Sequence, residues 1–261
     1  MRHATHRCGR LAAALLLTPL LCGFDSSRGR EALERAFHNL YGADVLAAVE
    51  LVVEGDGRPP QKLGYAYGRK RKGDEIRTLM FRPGARRATD RALFFQTPGE
   101  ADRMFVSDGS YGKVRPVSTG EGRWALFGSD FAYEDFRAHT SDEYRIEVLG
   151  TDVVQQEATR VLRLRPLAGP YETMLVWLST QRPVILRIDY FDRKGLWKRY
   201  RVDAKRLRRQ LGWWVPVADE MLDLRTGRRT RREVRNIVLD TSVPDELFTL
   251  TQLERGRMPS F

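Results

Sequence analysis

The sequence is poor in several residues on which small exported domains and enzymes commonly rely. It has two cysteines, Cys8 and Cys22, and four histidines, His3, His6, His38 and His139. Both cysteines fall within the first 22 residues, so the chain beyond them has no thiol to cross-link and must be held by its apolar core. Roughly 235 residues are enough to bury such a core as one domain. His38 and His139 stand far apart without ligand spacing, and no later cysteine can join them, which excludes a structural zinc site. No Gly-x-Ser-x-Gly elbow occurs. Ser129, Asp130 and His139 match no hydrolase order or spacing. Glu134 and Asp135 are adjacent, and adjacent side chains on a helical turn do not face each other, whereas a glycosidase needs two carboxylates converging across about 5–10 Å. The chain therefore reads as a non-enzyme, with no catalytic residue, no metal and no cofactor.

A long hydrophobic run is also missing. The most apolar stretch, Leu11 to Leu21, is interrupted by Thr18 and Pro19 and is shorter than the about 20 residues a membrane-spanning helix needs. Arg2, Arg7 and Arg10 precede it with no acid among them, and Cys22, Gly23, Asp25, Ser26 and Ser27 follow. A basic segment, a short apolar segment and then small residues is the layout of a secretory signal peptide. The expected division is residues 1–23 as signal peptide and 24–261 as an exported domain. A short uncleaved anchor is the competing reading. Acylation of Cys22 is a further one, but Leu21 is bulky where a lipobox has a small residue, and cleavage after Gly23 competes with it.

Lysine is scarce, at 7 of the 45 basic residues, so arginine supplies most of the net charge of +11. In a cytoplasmic protein that balance would raise nucleic acid as a partner. Behind a signal peptide it points instead to anionic lipid head groups or an anionic membrane surface, or to solvated arginines with no particular target. Arg228, Arg229, Arg231 and Arg232 form one basic cluster and cannot all face one side of a strand.

Ser27 to Tyr41 has helical spacing, with Leu33, Ala36, Phe37 and Leu40 on one face, Ser27 as N-cap and Gly42 at the end. From Val45 the period becomes two. Runs near Val45–Val53, Leu63–Tyr67, Ile76–Phe81, Leu93–Gln96, Met104–Val106 and Lys113–Val117 are separated by turn residues. They continue at Tyr144–Leu149, Arg160–Arg165, Met174–Leu178, Val184–Tyr190, Leu196–Val202, Trp213–Leu224 and Arg228–Leu239. Pro216 marks a bulge or edge in the Trp213 strand, and Pro244–Phe248 is one helical turn. This spacing predicts one antiparallel β domain. Met174 to Leu178 is apolar on both faces, which requires two covers: the N-terminal helix could be one, and a cavity for an apolar ligand the other.

Trp124, Phe127, Phe131, Tyr133 and Phe136 lie within 13 residues of one another, and core packing accounts for most such aromatics. The surrounding segment, Trp124-Ala125-Leu126-Phe127-Gly128-Ser129-Asp130-Phe131-Ala132-Tyr133-Glu134-Asp135-Phe136, resembles the signature of the LolA-like family of outer-membrane lipoprotein-sorting proteins. Arg103-Met104-Phe105 and Val114-Arg115-Pro116 before it, and Asp142-Glu143-Tyr144 and Val148-Leu149-Gly150 after it, extend the resemblance from about Ala43 to the C-terminus. The resemblance implies a mainly β (α+β) fold: a curved antiparallel sheet forming an unclosed half-barrel, with an N-terminal helix and short helices on its concave face. It also implies a periplasmic protein that holds the acyl part of a lipid or lipoprotein, with Trp124, Leu126, Phe127, Phe131, Tyr133 and Trp177 as cavity candidates. An RND/MMPL-type inner-membrane exporter is an implied partner, and an accessory subunit of such an exporter that binds no lipid is the alternative function. Locally, Gly128 is expected to make a turn, Ser129 or Asp130 to cap the next helical turn, and Phe131, Tyr133 and Phe136 to pack beneath the sheet.

Overall fold

The computed structural model describes residues 20–55, 57–82, 91–97, 99–107, 113–118 and 123–255. The basic and apolar stretch at residues 1–19, with Cys8, lies outside them. A single helix of more than one turn opens the described chain, α1 (Leu20–Tyr41). The helix runs through Ser26 and Ser27 without a break, so Ser27 is interior to it rather than its N-cap. Serine costs little inside a helix when the preceding residues continue it. At the other end Gly42 N–H donates to His38 O at 2.7 Å. A β-carbon at Gly42 would sit 2.6 Å from that carbonyl and from the Trp213 ring, so only glycine fits.

Fifteen strands follow among the described residues: β1 (Val45–Glu54), β2 (Gln61–Lys72), β3 (Glu75–Phe81), β4 (Arg91–Gln96), β5 (Arg103–Ser107), β6 (Val114–Pro116), β7 (Tyr144–Val154), β8 (Glu157–Pro166), β9 (Thr173–Ser179), β10 (Ile185–Asp192), β11 (Gly195–Val202), β12 (Leu207–Gln210), β13 (Trp213–Pro216), β14 (Ala218–Asp223) and β15 (Arg229–Leu239). Thirteen form one antiparallel sheet in the order β6-β5-β4-β3-β2-β1-β15-β14-β11-β10-β9-β8-β7. β15 returns to pair with β1, joining two meanders into one sheet with free edges at β6 and β7. β12 and β13 form a separate hairpin. The fold is the expected unclosed half-barrel.

Strand alternation sorts the side chains into two faces. On the concave face Val49, Tyr65, Met80, Val176 and Ile188 join one large buried cluster with α1. The convex face has two smaller apolar clusters, each covered by the chain itself. Val243, with Leu247 and Phe248 of the 3₁₀ turn Asp245–Phe248 and Leu253 of helix α2 (Leu250–Arg255), covers Leu46, Leu79 and Leu93. Leu207, Trp214 and Ala204 cover Val161, Trp177 and Leu186. Protein therefore covers both apolar faces of the sheet.

Between the two convex clusters the outer surface is a lattice of arginines and acids. Arg187 and Arg199 both grip Asp189, Arg201 meets Glu220, Arg231 meets Glu54 at 2.6 Å and Arg235 meets Glu50 at 2.7 Å. Much of the arginine excess is thus placed opposite carboxylates across neighbouring strands.

Candidate functional site

The concave face and its covers bound a partly open cavity of about 1660 Å³. Its floor is built by every second residue of the central strands: Ala47 and Val49 of β1, Tyr65 of β2, Val176 of β9 and Ile188 of β10. Its roof at the β7–β9 end is α1, through Leu33, Ala36, Phe37 and Tyr41. Gly29 brings α1 against β7, because a β-carbon there would meet Val148 at 2.7 Å. Polar ties fix the helix in place. Arg30 donates to Ser141 and Asp142, Ser141 donates to Glu34, and the Asn39 amide both donates to and accepts from the Trp214 backbone at 2.8 Å.

The rest of the roof is the aromatic segment. Phe127 has φ 52° and Gly128 φ 77°, which reverse the chain. Ser129 Oγ donates to Leu126 O at 2.6 Å and accepts from Phe131 N–H, closing the turn. Ser129 is therefore a turn-closing residue and not a helix cap. The 3₁₀ turn Tyr133–Phe136 is capped from within, by Asp135 Oδ2 accepting from Ala132 N–H at 2.7 Å. Thr230 and Arg228 of the β15 end hold Asp130 and the Gly128 carbonyl. Phe131, Tyr133 and Phe136 are thereby presented to Tyr200, Phe94 and Tyr65, with ring centroids 6.3–6.5 Å apart.

A family model described as "Uncharacterized protein" matches residues 73–255, more than two thirds of the chain. The chain belongs to that family. Its fold is LolA-like. A domain from Vibrio parahaemolyticus, described as an outer membrane lipoprotein-sorting protein domain, superposes with a TM-score of 0.76 at 20% identity, covering 88% of this chain and 97% of that one. A DUF1329 family protein from Desulfovibrio piger gives 0.78 at 20% identity, over 87% and 98%. A LolA superfamily protein from Nitrosomonas europaea gives 0.62 at 19% identity, over 84% and 96%. Nothing among curated proteins matches the sequence.

Within this LolA-like frame the six cavity candidates separate. Phe131 and Tyr133 line the cavity. Leu126 and Phe127 lie behind it, buried in the main core, with Phe127 against Tyr65 at 5.8 Å. Trp124 is 45% exposed, and Arg115 lies over its ring at 5.4 Å. Trp177 points to the convex side, because it alternates with Val176. There its indole N–H donates to Asp152 and Arg187 stacks on it at 4.0 Å. Sequence reading missed most of the floor and roof, including Ala36, Ala47, Tyr65 and Ile188. The period-two and helical patterns marked these residues as core, but no local signal says which core residues face an open space.

One buried ion pair ties the aromatic segment to the sheet, and a second lies within the sheet beneath it. Lys198 Nζ meets Asp135 Oδ2 at 2.6 Å with both side chains almost fully buried, and Tyr171 O–H donates to the other carboxylate oxygen at 2.6 Å. Arg232 grips Asp219 beneath Phe131 and Phe136. Burial disfavours the Arg232 charge, but the nearby Asp219 outweighs it and keeps the guanidinium protonated. The expected basic cluster is thus internally paired. Arg228 meets Asp130, Arg229 and Arg231 share Glu54, and Arg232 faces the concave side.

A third set of charges stands at the rim. Arg137 bridges Glu134, Asp102 and Glu143, and His139 touches Glu143 and Tyr144. Burial alone would raise the Glu143 carboxyl, but the hydrogen bonds and charge of His139 and Arg137 outweigh it and bring it from 4.5 down to about 2. A carboxylate depressed in the folded state adds stability that is present above its unfolded value, about 4.3. That contribution is lost as pH falls from there through about 2. Urea midpoints of the wild type should therefore fall across this acid window, and those of Glu143→Gln should fall less steeply. Parallel curves would mean that Glu143 does not couple to folding.

Proposed function

We propose that this LolA-like protein is a periplasmic carrier that holds the acyl moiety of a lipid or lipoprotein in its concave cavity, and that it is not an enzyme. The observation that carries this reading is the cavity itself: about 1660 Å³ between the sheet and its roof, open at one side, with a floor of aliphatic and aromatic side chains. Ligand pockets commonly occupy about 300–1,000 Å³, so this one has room for an acyl chain of ordinary length. Each buried methylene contributes about 0.8 kcal/mol, and a chain in that space needs few directed polar contacts. No described helix is long and apolar enough to cross a membrane. The leader read in residues 1–23 supports delivery to the periplasm.

Titration of a fluorescent acyl probe into the purified protein tests the reading. Saturable uptake at one probe per chain is the expected result. Absence of saturable uptake would contradict the carrier role, and co-purification of a lipid-free protein with an inner-membrane exporter would favour an accessory subunit instead.

A further inference from the structure

The cavity is not uniformly apolar. Five arginines line it, at positions 69, 123, 137, 193 and 232. Four of them face acids: Arg123 faces Asp192, Arg137 faces Glu134, Glu143 and Asp102, Arg193 faces Glu172, and Arg232 faces Asp219. Arg69 does not. It projects from the concave face of β2 and is 5% exposed. It donates to two neutral acceptors, Ala43 O and Tyr67 Oη, each at 3.4 Å. No carboxylate among the described residues lies within ion-pair distance of it.

A buried guanidinium in this state is costly. It carries five N–H donors and cannot deprotonate in a protein, and an unpaired charge away from water is disfavoured by several kcal/mol. Two long bonds to neutral oxygens leave most of its donors without good acceptors. Its surroundings are short of acceptors and offer further donors. The Tyr41 ring lies 5.6 Å from the guanidinium carbon and the Tyr67 ring 6.0 Å. Tyr41 lines the cavity, and among the described residues its hydroxyl makes no hydrogen bond. Thr78, directly across the β2–β3 ladder from Arg69, has a buried hydroxyl with no partner. Along the same row of the sheet the neighbours on either side are apolar, Val45 on β1 and Phe94 on β4. A buried guanidinium without an acid, a spare tyrosine hydroxyl and a flanking apolar wall suit a ligand with a single anionic end and a hydrocarbon body.

We propose that Arg69 anchors the carboxylate of an unesterified fatty acid whose chain lies along the floor of the cavity. The inference rests on the acyl-carrier reading and specifies the ligand class for it. One guanidinium balances one carboxylate, and its fork accepts the two oxygens side by side. Tyr41 is the neighbouring donor that lines the cavity. An ester or amide of the same chain would fill the same space without offering Arg69 a charge.

The test compares cis-parinaric acid with its methyl ester on the full chain, in the wild type and in Arg69→Gln. The wild type should bind the acid at least about tenfold more tightly than the ester, the scale of one charge-assisted hydrogen bond. Arg69→Gln should bind both at the ester's affinity, with ester binding unchanged from the wild type. Equal affinity of the wild type for acid and ester would overturn the anchor and leave the carrier reading standing. Failure to bind either probe would overturn the carrier reading itself. A single-chain phosphate monoester that binds more tightly than the acid and loses that advantage in Arg69→Gln would overturn the carboxylate assignment in favour of phosphate. Should Arg69→Gln not fold, the acid-to-ester ratio of the wild type decides alone.

Discussion

Lys198→Met should lower the unfolding free energy by about 3–5 kcal/mol, a large share of the about 5–15 kcal/mol that holds a domain folded. Lys198 and Asp135 have side-chain exposures of 2% and 3% and meet at 2.6 Å. The ammonium also lies 5.1–5.2 Å from the ring centroids of Tyr171, Tyr190 and Trp197. Methionine fills a similar volume, so the substitution removes a charge rather than opening a void. What it leaves is the Asp135 carboxylate, still accepting from Tyr171 and Ala132 but without a cation in an aromatic enclosure. The penalty belongs to the orphaned charge, not to the lost contact. Combining Lys198→Met with Asp135→Asn, which keeps an acceptor and removes the charge, should therefore recover at least half of the loss. Urea unfolding of the three variants measures this. A single-variant loss below about 1 kcal/mol, or a double variant less stable than the single, would show that the pair is not buried as described.

Ala47→Trp should reduce uptake of an acyl probe at least about tenfold while lowering the melting temperature by only a few degrees. Ala47 is one of the residues lining the cavity floor on β1 and is buried. In a filled core an indole at this point would overpack, at about 1–3 kcal/mol or more. In an open cavity it occupies space that the ligand would take and strains little. Leu126→Glu is the contrasting variant. Leu126 is wholly buried behind the cavity, in contact with the packed core, so its carboxylate has no open space to enter. It should unfold the protein or leave it insoluble. Probe uptake and thermal unfolding, measured on both variants, separate open space from filled core at two points of the same buried cluster. If Ala47→Trp unfolds the chain as Leu126→Glu does, the floor is packed and the cavity is not available.

The strands were legible where apolar and polar residues alternate, and for that reason the meanders around β1–β5 and β8–β11 follow the sequence pattern. The pattern fails where tertiary contacts set the backbone. The β7–β8 hairpin runs past Leu149 to a turn at Gln155 and Gln156, both with positive φ, where sequence reading looks for Asn-Gly. The Gln155 amide bridges Val202 O and Ala204 N–H, which stabilises the unusual turn. Trp213 to Leu224 reads as one interrupted strand, but Pro216 and Val217 divide it between two sheets, β13 in the small hairpin and β14 in the main one. Strand β12 and helix α2 are too short to show a period. At the site, the aromatic segment announced that it packs under the sheet, and its turn chemistry follows from Gly128 and Ser129. Which faces it packs against did not. Trp177 and Val176 are neighbours on one strand and point to opposite sides, and only the order of the strands says which side is hollow. Arg69 gave no sequence signal, since its distinction is the absence of an acid that lies elsewhere in the chain for every other arginine lining the cavity.

Native mass spectrometry of the protein released from its own cell envelope tests the central claim most directly. The expected result is a population carrying one additional mass in the range of a lipid or acyl chain, lost on collisional activation and absent after delipidation. A single unliganded mass under conditions that preserve a co-purified control lipid carrier would contradict it.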